Sequence, residues 1–251
     1  MSSAIFFDMW GVLLDPTGIP AQWQRLVGEF LAPRLGGEPA AWGPANEYAA
    51  ERMFARYRDP QGTPRETHPR LRRLWLREMC ERVGVPAPKT AGTLADDTVA
   101  WVTSRIAAPA AGAMEAIRVL KSRGYRLYTS AAANSVDIDG HLRALGGRDL
   151  FEGIYGSDII DRWKTNAGFY RRILEHSGVA PSDAVTVDDQ ERCLHWAKRA
   201  GFARTFLLAP AGSASSHEVI ASLPELADRL QAAARSGSSA VGRTDSDGPV
   251  R

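Results

Sequence analysis

Four polar clusters in the chain carry side chains able to do covalent chemistry. Asp8 closes the apolar run Ala4-Ile5-Phe6-Phe7, and Thr129-Ser130 closes Arg126-Leu127-Tyr128. Lys164 lies in the stretch Asp161-Arg162-Trp163-Lys164-Thr165-Asn166, and Asp188-Asp189 closes Val185-Thr186-Val187. A carboxylate can attack a phosphorus or carbon centre and hold the covalent intermediate, splitting one difficult step into two easier ones. Asp8, Asp188 and Asp189 together offer hard oxygen ligands of the kind that suit Mg²⁺. Such an ion offsets the repulsion between an anionic nucleophile and an anionic phosphate. The hydroxyl of Thr129, or of Ser130 beside it, and the ammonium of Lys164 can hold the oxygens on which charge builds up in transfer.

These residues act together only if the fold gathers them, and the hydrophobic pattern supplies a fold that does. Four short runs, residues 4–7, 126–129, 185–187 and 204–208, read as buried parallel strands. The helical patterns that separate the later ones are the signature of an α/β, doubly wound, Rossmann-like sheet. In a parallel sheet all strand carboxyl ends share one edge, where ligands bind. One helix carries Met114, Ile117, Val119 and Leu120 and stops at Gly124, a natural carboxyl-terminal cap. Others run from about Ala167 to Gly178, and from after Asp189 to Gly201. A weak strand over residues 153–156 is expected at the sheet edge.

Between Asp15 and about Ala107 strand signals vanish and amphipathic helices take over. Trp23, Leu26, Val27, Phe30 and Leu31 follow helical spacing, as do Leu71, Leu74, Trp75 and Met79. Breaks fall at Gly36-Gly37, Asp59-Pro60-Gln61-Gly62 and Val85-Pro86-Ala87-Pro88. The expected organisation is a core of residues 1–15 and 108–230, a helical insert of residues 16–107, and a disordered tail of residues 231–251, rich in Ser, Gly, Ala and charge.

In order and spacing the four clusters resemble the haloacid dehalogenase (HAD) superfamily. Phe6-Phe7-Asp8-Met9-Trp10-Gly11-Val12-Leu13-Leu14-Asp15 is similar to its motif I, Leu127-Tyr128-Thr129-Ser130 to motif II, Lys164 to motif III, and Val185-Thr186-Val187-Asp188-Asp189 to motif IV. A helical insert between the first two motifs resembles the C1 cap, which in that family closes over the site and selects the substrate. The resemblance covers about residues 1 to 230. It implies Asp8 as nucleophile and metal ligand, with the main-chain carbonyl of Trp10 also facing the metal. It implies Thr129, or Ser130, as the phosphate-binding hydroxyl, Lys164 as a contact to both Asp8 and phosphate, and Asp189 and Asp188 as further metal ligands. Two departures stand out. Trp10 occupies the place of the family's second aspartate, the general acid and base, and Thr165 replaces the usual proline after the lysine.

The plainer roles of these residues are a strand-end carboxylate, a helix-start lysine, and an acidic pair capping the next helix. The last is compatible with metal binding. His68, His141, His176, His195 and His217 share no helical metal spacing and read as surface or loop residues. Arg70, Arg72, Arg73, Arg77 and Arg82 read as a solvated helix face rather than an anion site. Lys89, the one lysine of the insert, could form a Schiff base as in phosphonoacetaldehyde hydrolases of the superfamily, a weaker reading than a surface lysine. No Gly-x-Ser-x-Gly elbow, P-loop or dinucleotide glycine pattern is present, against serine hydrolase, nucleotide triphosphatase and dehydrogenase readings. A net charge of +2, with basic and acidic residues interspersed, gives no case for nucleic acid. No window approaches the ~20 apolar residues of a membrane helix, and no basic stretch precedes an early apolar run. Cys80 and Cys193 fit no zinc or redox spacing and read as unpaired buried thiols in a reducing cytoplasm.

The expected function is a hydrolase with an aspartate nucleophile, a Mg²⁺-dependent phosphatase acting on a small phosphorylated metabolite, as monomer or homodimer. Trp10 opens two alternatives. One is a metal-independent 2-haloacid dehalogenase, in which an aromatic residue replaces the second aspartate and halide leaves unprotonated. The other is a phosphate-binding or regulatory module with reduced catalysis. The resemblance implies a serine- and asparagine-bearing motif IV in dehalogenases, so Asp188-Asp189 favours the phosphatase.

Overall fold

The computed structural model describes residues 3–241. β1 (Ala4–Phe7), β2 (Arg126–Thr129), β3 (Ala184–Asp188), β4 (Arg204–Leu208) and β5 (Glu218–Ile220) form one parallel sheet in the order β2-β1-β3-β4-β5. Every residue of β1 and β3 is buried, because helices cover both faces of the central strands and select an unbroken apolar run. Phe7 pairs with Thr129 on one side and Val187 on the other. Asp8, Ser130 and Asp188 therefore follow at the same level of the sheet. The main chain confirms the alignment, with Asp8 N donating to Val187 O at 3.0 Å and Ser130 N to Phe7 O at 2.8 Å.

Helices follow in chain order: α1 (Ile19–Leu35), α2 (Pro39–Tyr57), α3 (Pro64–Val83), α4 (Ala91–Thr103), α5 (Ala113–Ser122), α6 (Ser135–Ala144), α7 (Ser157–Ile160), α8 (Ala167–Ser177), α9 (Glu191–Ala200) and α10 (Leu223–Val241). On one face of the sheet Ile5, Leu127, Val185 and Phe206 pack against Ile117 and Leu120 of α5, Leu142 of α6 and Leu226 of α10. On the other, Phe6, Tyr128 and Ala184 pack against Phe169, Tyr170 and Ile173 of α8 and Ala197 of α9.

The helices α1 to α4 bury a cluster of their own, centred on Val27, Leu31, Trp42, Trp75, Leu76 and Met79. Thr63 and Glu66 form a capping box that starts α3. Gly28 lets α1 approach α2 closely, since a Cβ there would fall 2.1 Å from Pro39 O. The chain leaves the sheet and returns to it by two adjacent segments, joined by Asp15 N to Ala108 O at 2.9 Å and Ala110 N to Leu13 O at 3.0 Å.

Three sequence expectations are corrected. Residues 153–156 run beside β2 with bonds such as Thr129 N to Gly153 O at 3.2 Å, but form only a single bridge with Tyr128 and no strand. At Gly156 the chain turns so close to Ala133 and Ser135 that a Cβ would lie 2.6 Å from Ala133 O. The sheet edge beyond β4 is instead β5, whose three residues include the charged Glu218 and give little hydrophobic signal. Finally, α10 continues to Val241, against an irregular tail from Gln231. The alanines at 232–234 have the highest intrinsic helix propensity. Residues 242–251 of the expected tail lie outside the described residues.

Cys80 and Cys193 are buried and unpaired. Among the described residues no helix is long and apolar enough to cross a membrane.

Candidate active site

The sheet edge gathers Asp8, Ser130 and Asp188, and the loop before α8 delivers Lys164 to them. Lys164 Nζ lies 2.9 Å from Asp8 Oδ1 and 2.7 Å from Asp188 Oδ2. The loop turns back at Asp161, whose φ of 51° is left-handed, and ends where Asn166 caps α8 by accepting from Gly168 N at 2.8 Å. Asp188 is held on both sides, its Oδ1 accepting from Gln190 N at 2.9 Å and its Oδ2 also from Tyr170 OH at 3.4 Å.

Asp189 is exposed and lies over the turn after β1. A Cβ on Gly11 would fall 2.3 Å from Asp189 Oδ2, and Gly11 has φ of 79°, so this turn requires glycine. Ligand oxygens of Asp8, Asp188 and Asp189 all lie within 4.8 Å of one another. Among the described residues Asp8 Oδ2 has no hydrogen-bond partner, and the Asp189 carboxylate none outside its own residue.

One ammonium therefore faces three carboxylates. Burial pushes Asp8 up to about 6; Lys164 opposes this, while Asp188 and Asp189 add to it. Burial and the neighbouring Asp188 likewise raise Asp189. Burial works against the charge on Lys164, but Asp8, Tyr170 and Asp188 hold its ammonium well above the usual lysine value. The site therefore carries more negative than positive charge, with the unengaged carboxylate oxygens towards Asp189.

The adjacent hydroxyls Thr129 and Ser130 have different surroundings. Thr129 Oγ1 accepts from Tyr155 N at 2.8 Å. Ser130 Oγ is buried and has no partner among the described residues, and it sits at the level of Asp8 by strand register. Trp10 is half-buried, follows Asp8 by two residues, and directs no proton-transferring group at the site. Its ring packs edge-on against His141, with centroids 5.8 Å apart.

The helices α1 to α4 are tied to the loop that carries Lys164. Trp163 packs against Tyr57 and His68 and donates from Nε1 to Gly62 O at 3.0 Å. Arg65 reaches Asp158 O at 2.9 Å and Ile159 O at 2.7 Å. His68 is buried between Tyr57 OH and Ser157 Oγ, each at 2.8 Å. Arg72 bridges Asp96 at 2.7 Å and Asp137 at 2.6 Å.

The reading of all five histidines as surface or loop residues is thus corrected for two: His68 and His141 are buried within α3 and α6, while His217 is a buried loop residue. Arg72 is buried too, whereas Arg70, Arg73, Arg77 and Arg82 are exposed as a solvated face. His68 and Arg72 share the α3 face of Leu71 and Trp75, and that periodicity is the signal that could have found them. Lys89 is exposed ahead of α4.

The model of the haloacid dehalogenase-like hydrolase family matches residues 3–201. Among curated proteins none matches the chain. Similar solved structures include a defluorinating L-2-haloacid dehalogenase, 16% identical, covering 92% of this chain and 95% of its own, with a TM-score of 0.63. A HAD-hydrolase, YfnB from Bacillus subtilis bound to magnesium, is 16% identical, with coverage of 91% and 98% and a TM-score of 0.61. An L-2-haloacid dehalogenase from Xanthobacter autotrophicus with chloropropionic acid covalently bound is 14% identical, with coverage of 92% and 99% and a TM-score of 0.55. At these identities the likeness is one of fold.

Proposed function

The chain belongs to the haloacid dehalogenase-like hydrolases, and from that premise we propose that it is a Mg²⁺-dependent phosphatase of small phosphorylated metabolites with Asp8 as nucleophile. The observation that carries the reading is the charge imbalance at the sheet edge. Lys164 covers one oxygen of Asp8 and one of Asp188, leaving Asp8 Oδ2 and the Asp189 carboxylate open beside each other. A set of hard carboxylate oxygens within 4.8 Å of one another fits Mg²⁺. Asp8, Asp189 and the Trp10 carbonyl would hold it, with Asp188 directly or through water. When bound, the ion supplies the positive charge that lets an anionic phosphate approach an anionic nucleophile.

The chain's own residues then divide the work. Lys164 keeps Asp8 ionised and aligned, and meets one phosphate oxygen. Ser130 Oγ, without a partner among the described residues, donates to another. Asp8 attacks phosphorus, the bond to the leaving alkoxide breaks, and an aspartyl phosphate forms. Water then attacks that phosphorus, releasing phosphate and restoring Asp8. With Trp10 in place of a general acid, the leaving group departs unprotonated or draws its proton from solvent. Esters of acidic alcohols or phenols are therefore the favoured substrates.

A second reading has its own observation. Trp10 offers no proton, and a halide needs none, so Asp8 attacking the carbon of a 2-haloacid is compatible with the same geometry. Paired assays separate the two. Phosphate released from p-nitrophenyl phosphate with Mg²⁺, and lost in Asp8→Asn, supports the phosphatase. Chloride released from L-2-chloropropionate in EDTA, and lost in the same variant, establishes the dehalogenase instead.

A further inference from the structure

Away from the Asp8 edge, three potential metal ligands meet on the flank of α9. Glu191 and His195 stand one helical turn apart, so their side chains share a face. His217 comes from the segment just before β5, which the β4–β5 pairing lays alongside Thr205. Ligand atoms of the three residues all lie within 4.8 Å of one another. No local spacing announces this, because His217 is 22 positions from His195.

The details suit a metal. His217 Nε2 and His195 Nδ1 are 3.2 Å apart, on rings at 90° to each other. Two nitrogens bound to one tetrahedral zinc at ~2.0–2.1 Å are roughly 3.3 Å from each other, so the pair already has the spacing. His217 Nδ1 is engaged by Thr205 Oγ1 at 2.7 Å, the kind of outer bond that orients a ligating imidazole and leaves Nε2 for the ion. Glu191 Oε1 is fixed by Ser215 Oγ at 2.7 Å and Ser216 N at 3.3 Å, while its other oxygen has no partner among the described residues. His217 is buried and His195 exposed, which gives an anchored ligand and an open approach from solvent.

We propose that Glu191, His195 and His217 form a second cation site, for a divalent transition ion of the zinc class, clasping α9 to the chain that leads into β5. Two imidazoles and one carboxylate select zinc-like ions, whereas the all-oxygen cluster at Asp8 suits Mg²⁺. In the arrangement seen, His195 Nδ1 also contacts Glu191 O at 2.9 Å; binding exchanges that contact for the ion.

The test is calorimetric titration of the EDTA-treated, dialysed full chain with ZnCl₂. An Asp8→Asn/Asp189→Asn variant is run in parallel, so that zinc taken by the acidic cluster is recognised. One zinc per chain, retained in that variant and weakened at least tenfold in His195→Gln, is the expected result. Thr205→Val, which leaves all three ligands in place, should weaken binding by ~10- to 100-fold. His195 is exposed, so an unchanged melting temperature of His195→Gln in EDTA shows that the fold is intact. Absence of zinc binding, binding lost with the acidic cluster, or binding indifferent to His195→Gln overturns the proposal.

Discussion

The indole of Trp10 meets the imidazole of His141 edge to face, at 5.8 Å and 89°. His141 is buried on α6, its Nδ1 without a partner among the described residues. Trp10 therefore fills its position by packing, and the place two residues after Asp8 is occupied by a side chain that can only donate a hydrogen bond.

Trp10→Asp restores a proton carrier at that place. Positioned acid–base catalysis is worth ~10²- to 10⁴-fold, so turnover of alkyl phosphates should rise by at least about tenfold. The gain on p-nitrophenyl phosphate, whose leaving group needs no proton, should be smaller. Steady-state kinetics on both esters check this; equal or reduced rates on both would show that no acid is missing.

Ser130 and Thr129 should separate cleanly. Ser130→Ala removes a hydroxyl with no partner among the described residues and should leave stability nearly unchanged while lowering kcat by ~10²-fold or more, as for other donors to developing charge. Thr129→Val strands the Tyr155 N–H that Thr129 Oγ1 now accepts, costing ~1–3 kcal/mol of stability with little effect on chemistry. Thermal melts and kinetics of the two variants decide between the hydroxyls.

His141 should make the fold acid-sensitive. Burial lowers its pKa to about 4, Asp137 opposing, whereas an unfolded histidine titrates near 6.5. The unfolded state thus takes up the proton first, so stability is full above pH 6.5 and falls as pH drops toward 4. The loss amounts to at most ~3 kcal/mol. Denaturant melts of His141→Leu should show a correspondingly flatter decline over that window; an unchanged slope would place the acid sensitivity elsewhere.

The sheet was legible in sequence because β1 to β4 are buried apolar runs, and the convergence of Asp8, Lys164 and Asp188 follows once parallel strands share an edge. The choice between Thr129 and Ser130 was not legible, since they are adjacent at the end of the same strand and differ in tertiary surroundings, Thr129 Oγ1 accepting from Tyr155 N and Ser130 Oγ unpartnered among the described residues. β5 escaped because a three-residue strand bearing Glu218 has no hydrophobic period. Arg72 could have been found from the buried face of α3, but the Glu191, His195 and His217 group is set by the approach of His217 to His195 from 22 positions away, which local spacing does not encode.

The most direct measurement of the chemistry is the covalent state of Asp8 during turnover. Acid quenching with p-nitrophenyl phosphate and Mg²⁺, followed by peptide mass spectrometry, should show a phosphoryl group on the peptide containing Asp8 and none in Asp8→Asn. A 1-carboxyethyl ester on that peptide, formed from L-2-chloropropionate in EDTA with release of chloride, together with no phosphoryl adduct under any condition, would contradict a phosphatase with Asp8 as its nucleophile.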